Sequence, residues 1–506
     1  MRLALFGLAT ATLLVTGCGS TVPLSGSTAS GLGPAPSDGA TLGSSTGSGG
    51  GFGTGTSGTS GSSGTSGSGG GQAGSGTGSS SGAGTSGPGS ATGGAAIANP
   101  PPAGTKLAPI QVGILLYPDL NAFANKFGAS ADTGDQDLIV DTTVKWVNQH
   151  GGAAGHQIQV VKHTVSLTST DTYDQLAEQA CTDFTQDHHV VAVLAPGTSV
   201  SNSFAACLQK HGVLYIVSGA WVHDAQDWRQ YFAMWSPGEA DGGQVGRSMV
   251  AQVLGKPLAK RGDKVGLMVM EEPGALRTAD NVITPMLKKA GIDVVEYTVP
   301  APASTADIGN SVAIDQSAEL KMAAQGVKTV MFLCPGCLSF FAQNADQQSY
   351  YPTYVVSSYD TPVGITGSSY DRSMASAVAI GWEPDHDIGM WHHAAELKDN
   401  PTRQLCHRIL DPIKQSRGDL SEFANQSVCD GFLQVMYAAA LNPANPLTGP
   451  ALQTGMGLFK GQHRSALDFG TYLAMGHHGG ATTYRTMRWD SSTHGFVYAG
   501  PRQTFS

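Results

Sequence analysis

The sequence predicts an α/β protein with two doubly wound lobes, each built on a parallel sheet. From residue 110 onward, short runs of β-branched residues alternate with amphipathic helical segments, as in parallel sheets that are covered by helices. This alternation forms two similar runs in series, which indicates two lobes. Residues 108–506 are also too many for one typical core and enough for two.

The first residues have the order of an export signal. Arg2 precedes an apolar run at 3–15, and Thr16, Gly17 and Cys18 follow. The run is shorter than the roughly 20 residues that a membrane-spanning helix needs. Small residues before a single cysteine resemble the bacterial lipobox, with Val15 where leucine is usual. This implies a signal peptide at 1–17, lipidation of Cys18 and attachment to the outer face of the cell membrane; ordinary secretion with an incidental Cys18 is the alternative.

The segment 18–107 has the composition of a flexible tether. Gly, Ser, Thr and Ala dominate it, and Asp38 and Lys106 are the only charged residues between Gly19 and Leu107. With so little apolar surface to bury, it cannot offset the entropy cost of ordering. We therefore predict disorder and a root-mean-square reach on the order of 50 Å. The composition also allows glycosylation of Ser or Thr.

Charge and motifs narrow the classes of function. The formal net charge of −10 argues against nucleic acid as a partner. The sequence has no Gly-x-Ser-x-Gly elbow, His-Glu-x-x-His, Walker loop or Gly-x-Gly-x-x-Gly after the first strand. We therefore predict a protein that is not an enzyme and uses no cofactor. Three histidine pairs are interpreted as solvated surface and not as metal ligands, because adjacent side chains point in different directions: His188-His189, His392-His393 and His477-His478.

Six cysteines follow Cys18, and an even number in an exported chain predicts disulfides. Of the 15 possible pairings, proximity in sequence favours Cys181 with Cys207, Cys334 with Cys337, and Cys406 with Cys429. The Cys-Pro-Gly-Cys run at 334–337 has two alternatives, a redox-active pair or half of a metal site. No second Cys-x-x-Cys or clustered histidine completes a zinc tetrahedron.

The first run of elements begins with a buried strand at 110–117. Val140, Val144 and Val147 then recur at helical spacing, and Gly151 and Gly152 stop that helix. Further strands are expected at 158–165, 190–195 and 213–217, with helices at 172–188 and through Phe204 and Leu208.

The second run starts after Trp235-Ser236-Pro237. Strands are expected at 265–270, 294–299, 329–333 and 354–357, with helices near 276–290 and 311–325. Helices are expected at 405–413 and 423–441, and they must pack on one of the sheets. The pattern of the last segment predicts a β-hairpin, with strands at 484–489 and 496–499.

The order of these features resembles the type 1 periplasmic-binding proteins, and among them the branched-chain amino-acid (leucine/isoleucine/valine) receptors of ABC importers. The resemblance rests on IQVGILLYP, VKWVNQHGGAAGHQIQVV, VVAVLAPGTSVSNSFAACLQKHGVLYIVSGA and the CDGFLQVMYAAAL helix. It implies a Venus-flytrap fold with three crossings and a ligand in the cleft. The implied lobes are 108–236 with about 363–442, and 237–362 with about 443–506, and the crossings fall near 235–238, near 357–363 and after 441. The 181–207 cysteine pair resembles a bridge of that group.

Candidate ligand-binding residues of the first lobe follow its strands. Ligands of open parallel sheets bind beyond the carboxyl ends of strands, near helix N-termini. Thr198 and Ser199 lie in such a loop, where plain capping of the next helix is the alternative. The resemblance adds Ser218 and Ala220. Trp221 is expected as an apolar or cation-binding wall, and Tyr117 is a similar candidate; for both, packing in the core is the alternative.

The second lobe departs from the resemblance. Receptors related to the leucine receptor have Tyr-Gly after the first strand of this lobe, where this chain has Pro273. The acidic residue that receives an amino group is then Asp360, after Tyr359, or Glu272. We expect Tyr359, Asp360 and Glu272 to close over the ligand from this lobe.

Together these features predict a monomeric lipoprotein that captures a small polar ligand, an amino acid among the options, and delivers it to an ABC permease. Two other functions stay open at this point. One is a sensor that signals to a membrane partner, and the other is a structural envelope lipoprotein with a degenerate cleft.

Overall fold

The computed structural model describes residues 107–125, 132–197, 201–219, 221–389, 396–414 and 419–506. In these ranges the chain forms two sheets with helices packed against them, which confirms the predicted α/β class with two lobes. No helix there is long and apolar enough to cross a membrane. The predicted signal peptide, the lipidation of Cys18 and the tether up to residue 106 lie outside the described residues.

The first lobe is built on a five-stranded parallel sheet. Its strands are β1 (Ile110–Leu116), β2 (Ile158–Thr164), β3 (Ala192–Gly197), β4 (Leu214–Gly219) and β5 (Met234–Trp235). They are ordered β2-β1-β3-β4-β5. Strands β1, β3 and β4 are almost wholly buried, as expected where helices cover both faces. All carboxyl ends therefore lie at one edge, where such sheets bind ligands.

The helices of the first lobe start at local polar signals. They are α1 (Leu120–Asn125), α2 (Gln136–Gln149), α3 (Tyr173–Thr182), α4 (Asn202–Lys210) and α5 (Ala225–Gln230). Asp135 accepts a hydrogen bond from the Leu138 N–H and so caps α2. Thr172 and Gln175 form a reciprocal capping box at α3. These caps fix the points where the helices leave the ligand-binding edge of the sheet.

The second lobe is built on a mixed eight-stranded sheet. Its strands are β6 (Lys264–Met270), β7 (Asp293–Val299), β8 (Thr329–Leu333), β9 (Thr353–Ser357), β10 (Val378–Gly381), β11 (Thr483–Asp490), β12 (Gly495–Tyr498) and β13 (Gln503–Thr504). The order is β12-β11-β10-β9-β8-β6-β7, and β13 pairs with β11. Strands β6 to β10 are parallel, whereas β11 runs antiparallel to β10 and forms the predicted hairpin with β12.

Among the described residues, six helices accompany this sheet: α6 (Gly242–Gly255), α7 (Pro273–Thr278), α8 (Thr284–Lys289), α9 (Ile308–Ala324), α10 (Cys337–Gln347) and α11 (Asp371–Met374). The short helix α12 (Pro384–Asp387) follows β10, where the chain returns to the first lobe. A π-helical turn, Ala279–Ile283, joins α7 to α8. Three further helices return to the first lobe: α13 (Pro401–Leu410), α14 (Asp419–Leu441) and α15 (Gly449–Gly457). Helix α14 packs on α2 and β3, and α15 packs on α14 and β4.

Along the described residues, the chain passes between the lobes three times, through segments 236–241, 382–387 and 463–482, which we call the hinge. The second and third passages lie later than the sequence boundaries near 363 and 442. Strand β10 pairs in parallel with β9, so residues up to 381 belong to the second sheet. Helix α15 packs on the first lobe, so this lobe extends to 457. The sequence missed β10 because it has only four residues.

All three predicted disulfides are present. Cys181–Cys207 joins α3 to α4, Cys406–Cys429 joins α13 to α14, and Cys334–Cys337 spans the start of α10, with Cα–Cα distances of 6.3, 5.7 and 5.4 Å respectively. One histidine prediction was wrong: His478 is buried against Trp235, and only His477 of that pair is exposed. His188 and His189 are exposed, as predicted, while His392 and His393 lie outside the described residues.

Candidate functional site

A cavity of about 360 Å³ lies between the two lobes. Four stretches of the first lobe wall it: residues 172–174, residues 201–203, residues 221–223 and Asp227. The second lobe contributes Glu272, Gly274 and residues 301–303. Its volume falls within the range of small-molecule sites, which concentrate at interfaces between domains.

The first-lobe wall is formed where strand and helix ends meet. Trp221, Val222 and His223 follow β4, and Asp224 then caps α5 in a capping box with Asp227. Residues 172–174 and 201–203 lie at the starts of α3 and α4. The wall therefore lies at the carboxyl edge of the first sheet, as the strand order requires.

The second-lobe wall begins two residues after the end of β6. Glu272 precedes α7, and Pro273 occupies its first turn, a position that tolerates the missing N–H. A Cβ on Gly274 would lie 2.1 Å from the Val222 carbonyl oxygen and 2.4 Å from Oδ2 of Asp227. Only glycine therefore allows the start of α7 to lie this close to the first lobe.

Polar contacts hold the lobes together around the cavity. The Nδ2 group of Asn202 donates to Oε2 of Glu272 at 3.3 Å, and the N–H of Tyr173 donates to the carbonyl of Ala303 at 2.8 Å. Arg277 of α7 also donates to two aspartates of the first lobe, Asp224 and Asp227. The two lobes are thus closed on each other in this structure.

The charged lining of the cavity is mainly acidic. Asp174, Asp227 and Glu272 contribute carboxylates, and His223 is the one base among the described lining residues. Burial raises the pKa of Glu272, and repulsion from Asp227 and Asp174 adds to this, while His223 opposes it. Neither Asp174 nor Glu272 forms an ion pair with a lysine or arginine among the described residues.

Two contacts between an acidic and a basic side chain at the rim involve partly or wholly buried groups. Burial opposes ionisation of Asp224, but the hydrogen bonds from Arg277 outweigh it and lower the pKa of that carboxyl. Burial also disfavours the charged form of His223, yet attraction to Glu239 prevails and raises its pKa. The Nδ1 atom of His223 lies 2.8 Å from Oε1 of Glu239.

The structure brings together some of the candidates from the sequence. Trp221 and Glu272 line the cavity, on opposite lobes. Thr198, Ser199 and Ala220 lie outside the described residues, although Ser201 and Trp221 nearby in the chain both line it.

The other four candidates do not line this cavity. Tyr117 is buried in the first-lobe core, and its N–H donates to Gln136. Ser218 is buried within β4. Tyr359 donates its hydroxyl to the Ala240 carbonyl at 2.5 Å. Asp360 accepts from the N–H of Ser357 at 2.8 Å, so its carboxylate closes a capping box and faces its own lobe.

Sequence reasoning missed several residues that line the cavity or contact the lining residues at its rim. Asn202 and His223 lie next to predicted loops, and Asp224 with Asp227 shows the spacing of a capping box, which was a usable signal for a helix start. Arg277 and the 301–303 segment have no local signal, because their roles depend on contacts with the other lobe. The described residues contain no group of three or more His, Cys, Asp or Glu side chains that could hold a metal ion.

Known structures share this two-lobed arrangement. An ABC-transporter substrate-binding protein from Aeropyrum pernix aligns with a TM-score of 0.57 at 14% identity, over 79% of this chain and 96% of that one. A branched-chain amino-acid ABC transporter protein from Thermus thermophilus, with bound valine, aligns with a TM-score of 0.53 at 12% identity, over 79% and 97%. A solute-binding protein from Rhodopseudomonas palustris BisB5, in complex with 3,4-dihydroxybenzoic acid, aligns with a TM-score of 0.53 at 12% identity, over 78% and 97%.

No curated protein matches the chain in sequence. The sequence model of the periplasmic binding proteins, however, matches residues 122–404, which is more than half of the chain. Two lobes, a cavity between them and this match agree with one another. The chain belongs to the periplasmic binding protein family.

Proposed function

We propose that this protein is the extracytoplasmic solute-binding lipoprotein of an ABC importer, and that it closes its lobes on a small polar ligand. The observation that carries the proposal is the cavity of about 360 Å³ with walls from both lobes. A ligand that contacts both walls binds the closed form more tightly than the open form, and this differential affinity is what drives closure. The family membership and the fold of the transporter proteins above support this reading.

The lining favours a ligand with an amino group or another hydrogen-bond donor. Among the described residues, Glu272 and Asp174 present carboxylates that form no ion pair with a lysine or arginine, and a positively charged group of a ligand offsets their repulsion. The half-buried indole of Trp221 is suited to pack on an apolar or cationic part. Thr198, Ser199 and Ala220 remain ligand-binding candidates, because Ser201 and Trp221 nearby line the cavity.

The test is a ligand screen by thermal shift, with amino acids, amines and aromatic carboxylates as probes, followed by calorimetry of each hit. Glu272→Gln should weaken the binding of an amine-bearing hit by about 1–3 kcal/mol, roughly 5- to 150-fold, because the charged partner is lost. Glu271→Gln is the matched control, since Glu271 is the exposed neighbour of Glu272. If no probe in any class shifts the melting temperature, the binding function itself is contradicted.

Lipid attachment forms a separate part of the proposal and rests on the lipobox-like residues before Cys18. The protein is then a monomer held at the outer face of the membrane, with an ABC permease as its partner. Cys18→Ala should release the protein from membranes into the aqueous phase of a detergent partition. A variant that still enters the detergent phase would contradict lipidation at this residue.

A further inference from the structure

Each of the three hinge segments contributes at least one buried carboxyl group, and segment 382–387 also carries the buried Asp385 and Asp387. Glu239 comes from segment 236–241, Glu383 from segment 382–387 and Asp468 from segment 463–482, and their relative exposures are 1%, 3% and 0%. Carboxyl groups are rarely buried to this degree unless they are paired or serve a function. Neither the lining of the cavity nor packing in the core accounts for a buried, half-partnered carboxyl group in every crossing.

The three segments meet at Gly238. A Cβ there would lie 2.9 Å from Oε1 of Glu383 and 3.2 Å from Cβ of Leu467, the neighbour of Asp468. The first and third segments are also hydrogen bonded, since the N–H of Ala481 donates to the Glu239 carbonyl at 3.0 Å. The three crossings therefore pack directly on one another, without an intervening side chain at Gly238.

Only half of each carboxyl group has a partner. Oε1 of Glu239 lies 2.8 Å from Nδ1 of His223, Oε2 of Glu383 lies 2.9 Å from Nδ1 of His386, and the Thr471 hydroxyl donates to Oδ1 of Asp468 at 2.7 Å. The second oxygen of each of the three is buried and has no partner among the described residues. An unpartnered oxygen costs far less on a neutral carboxylic acid than on a carboxylate.

Acidic groups outnumber basic groups around the hinge. The titratable groups that face these three carboxyls are the bases His223, His386 and Arg464, the acids Asp385, Asp387 and Asp430, and the phenol of Tyr359. Burial raises the pKa of Glu239, Glu383 and Asp468, and repulsion of Glu239 and Asp468 by Glu383 adds to this. The closed arrangement therefore favours protons on these groups.

We propose that the hinge is proton-linked: Glu239, Glu383 and Asp468 take up protons when the lobes close and release them when the lobes open. Rotation of one lobe against the other changes the angles between the crossings, so contacts as short as those at Gly238 cannot all persist. Separation of the segments admits water, which stabilises the ionised forms. Because the closed form then binds more protons, its population falls as the pH rises, by up to about tenfold per pH unit for each proton released.

The test follows the lobes directly in the ligand-free full chain, so its result does not depend on the proposed ligand or transporter. Dyes are attached at Glu178 on α3 and at Asp280 after α7, which are exposed and belong to different lobes. Single-molecule energy transfer is then recorded between about pH 5 and about pH 8, where the folded state is expected to persist. We expect the high-transfer, closed population to decrease as the pH rises in the wild type.

The variants Glu239→Gln, Glu383→Gln and Asp468→Asn, alone and combined, should make this population less dependent on pH. Asp315→Asn is the matched control, because Asp315 is as buried as the hinge carboxyls and neither of its oxygens has a partner among the described residues. Burial raises its pKa to about 8, but it lies in α9, away from the hinge. Thermal melts at each pH identify any variant that is unfolded. A closed population that is constant with pH in the wild type overturns the proposal. The proposal is also overturned if the combined variant keeps the full pH response of the wild type, or if Asp315→Asn removes that response as strongly as the hinge variants do.

Discussion

Nε of Arg277 in the second lobe donates to Oδ2 of Asp224 in the first lobe at 2.7 Å, so this ion pair exists only when the lobes are close together. Both side chains are partly exposed, at 23% and 16%, which limits what the pair contributes. Arg277→Met should reduce the closed form relative to the open form by about 1 kcal/mol, roughly fivefold. The energy transfer between lobes measures this change. Arg229→Met, on the exposed face of α5, should have no effect, and an unchanged closed population in the Arg277 variant would show that the pair does not stabilise closure.

Gly274 gives a steric version of the same test. In Gly274→Ala the new methyl group collides with the Val222 carbonyl and with Asp227, which belong to the other lobe. Each lobe should fold normally, and the lobes should stay apart, because backbone atoms cannot yield as a flexible side chain does. Gly255→Ala, at the end of α6 with no atom within 4 Å of its added Cβ, is the control. A Gly274→Ala protein that closes like the wild type would rule out the described approach of α7.

Arg403 connects the hinge to the first lobe. It is 2% exposed and donates to both oxygens of Asp385, at 2.7 and 2.8 Å, and to Glu422 at 3.0 Å. Arg403→Met removes the guanidinium that Asp385 and Glu422 share in the protein interior, and removal of one partner of a buried ion pair typically costs about 3–5 kcal/mol. Denaturant unfolding should show this loss, whereas Arg408→Met, on the exposed side of the same helix, should stay within about 0.5 kcal/mol of the wild type.

His478 predicts how stability changes below neutral pH. Its ring stacks on Trp235 with centroids 3.8 Å apart, and burial lowers its pKa to about 4. The unfolded chain binds a proton at this histidine near pH 6.5, which the folded chain does not. The contribution of His478 is therefore complete above about pH 6.5 and is lost as the pH falls toward 4, by roughly 3 kcal/mol in total. In a plot of the denaturant midpoint against pH, the slope should be smaller in His478→Gln than in the wild type. His477→Gln, at the exposed neighbour, should keep the wild-type slope. Equal slopes in all three proteins would refute the assignment.

The sequence predicted well those elements whose signal is local. The valines of α2, at helical spacing, all face the core, and the rule that ligands bind beyond strand ends located Trp221 and Glu272. It failed where a role depends on distant partners. Strand β10 is defined by its pairing with β9, and Arg277 by carboxylates of the other lobe.

Asp360 shows a different kind of failure, in which a local signal was overlooked. Its carboxylate binds the N–H of Ser357, three residues earlier, in a capping box. A family resemblance suggested a ligand contact at this position, but the local hydrogen bond satisfies the side chain inside its own lobe. The short spacing from Ser357 was readable in the sequence and favoured the structural role.

The position of β11 also constrains the order in which the protein folds during synthesis. One edge of strand β10 stays unpaired until β11, about one hundred residues later in the chain, pairs with it. In the first lobe, α14 likewise packs on β3, which lies more than two hundred residues earlier. A nascent chain that stops short of residue 483 exposes β10 as an unpaired edge, the kind of surface that recruits other strands. Contacts between residues this far apart form slowly. Synthesis is therefore nearly complete before either lobe can finish folding, and β10 stays an unpaired edge until the last part of the chain has been made.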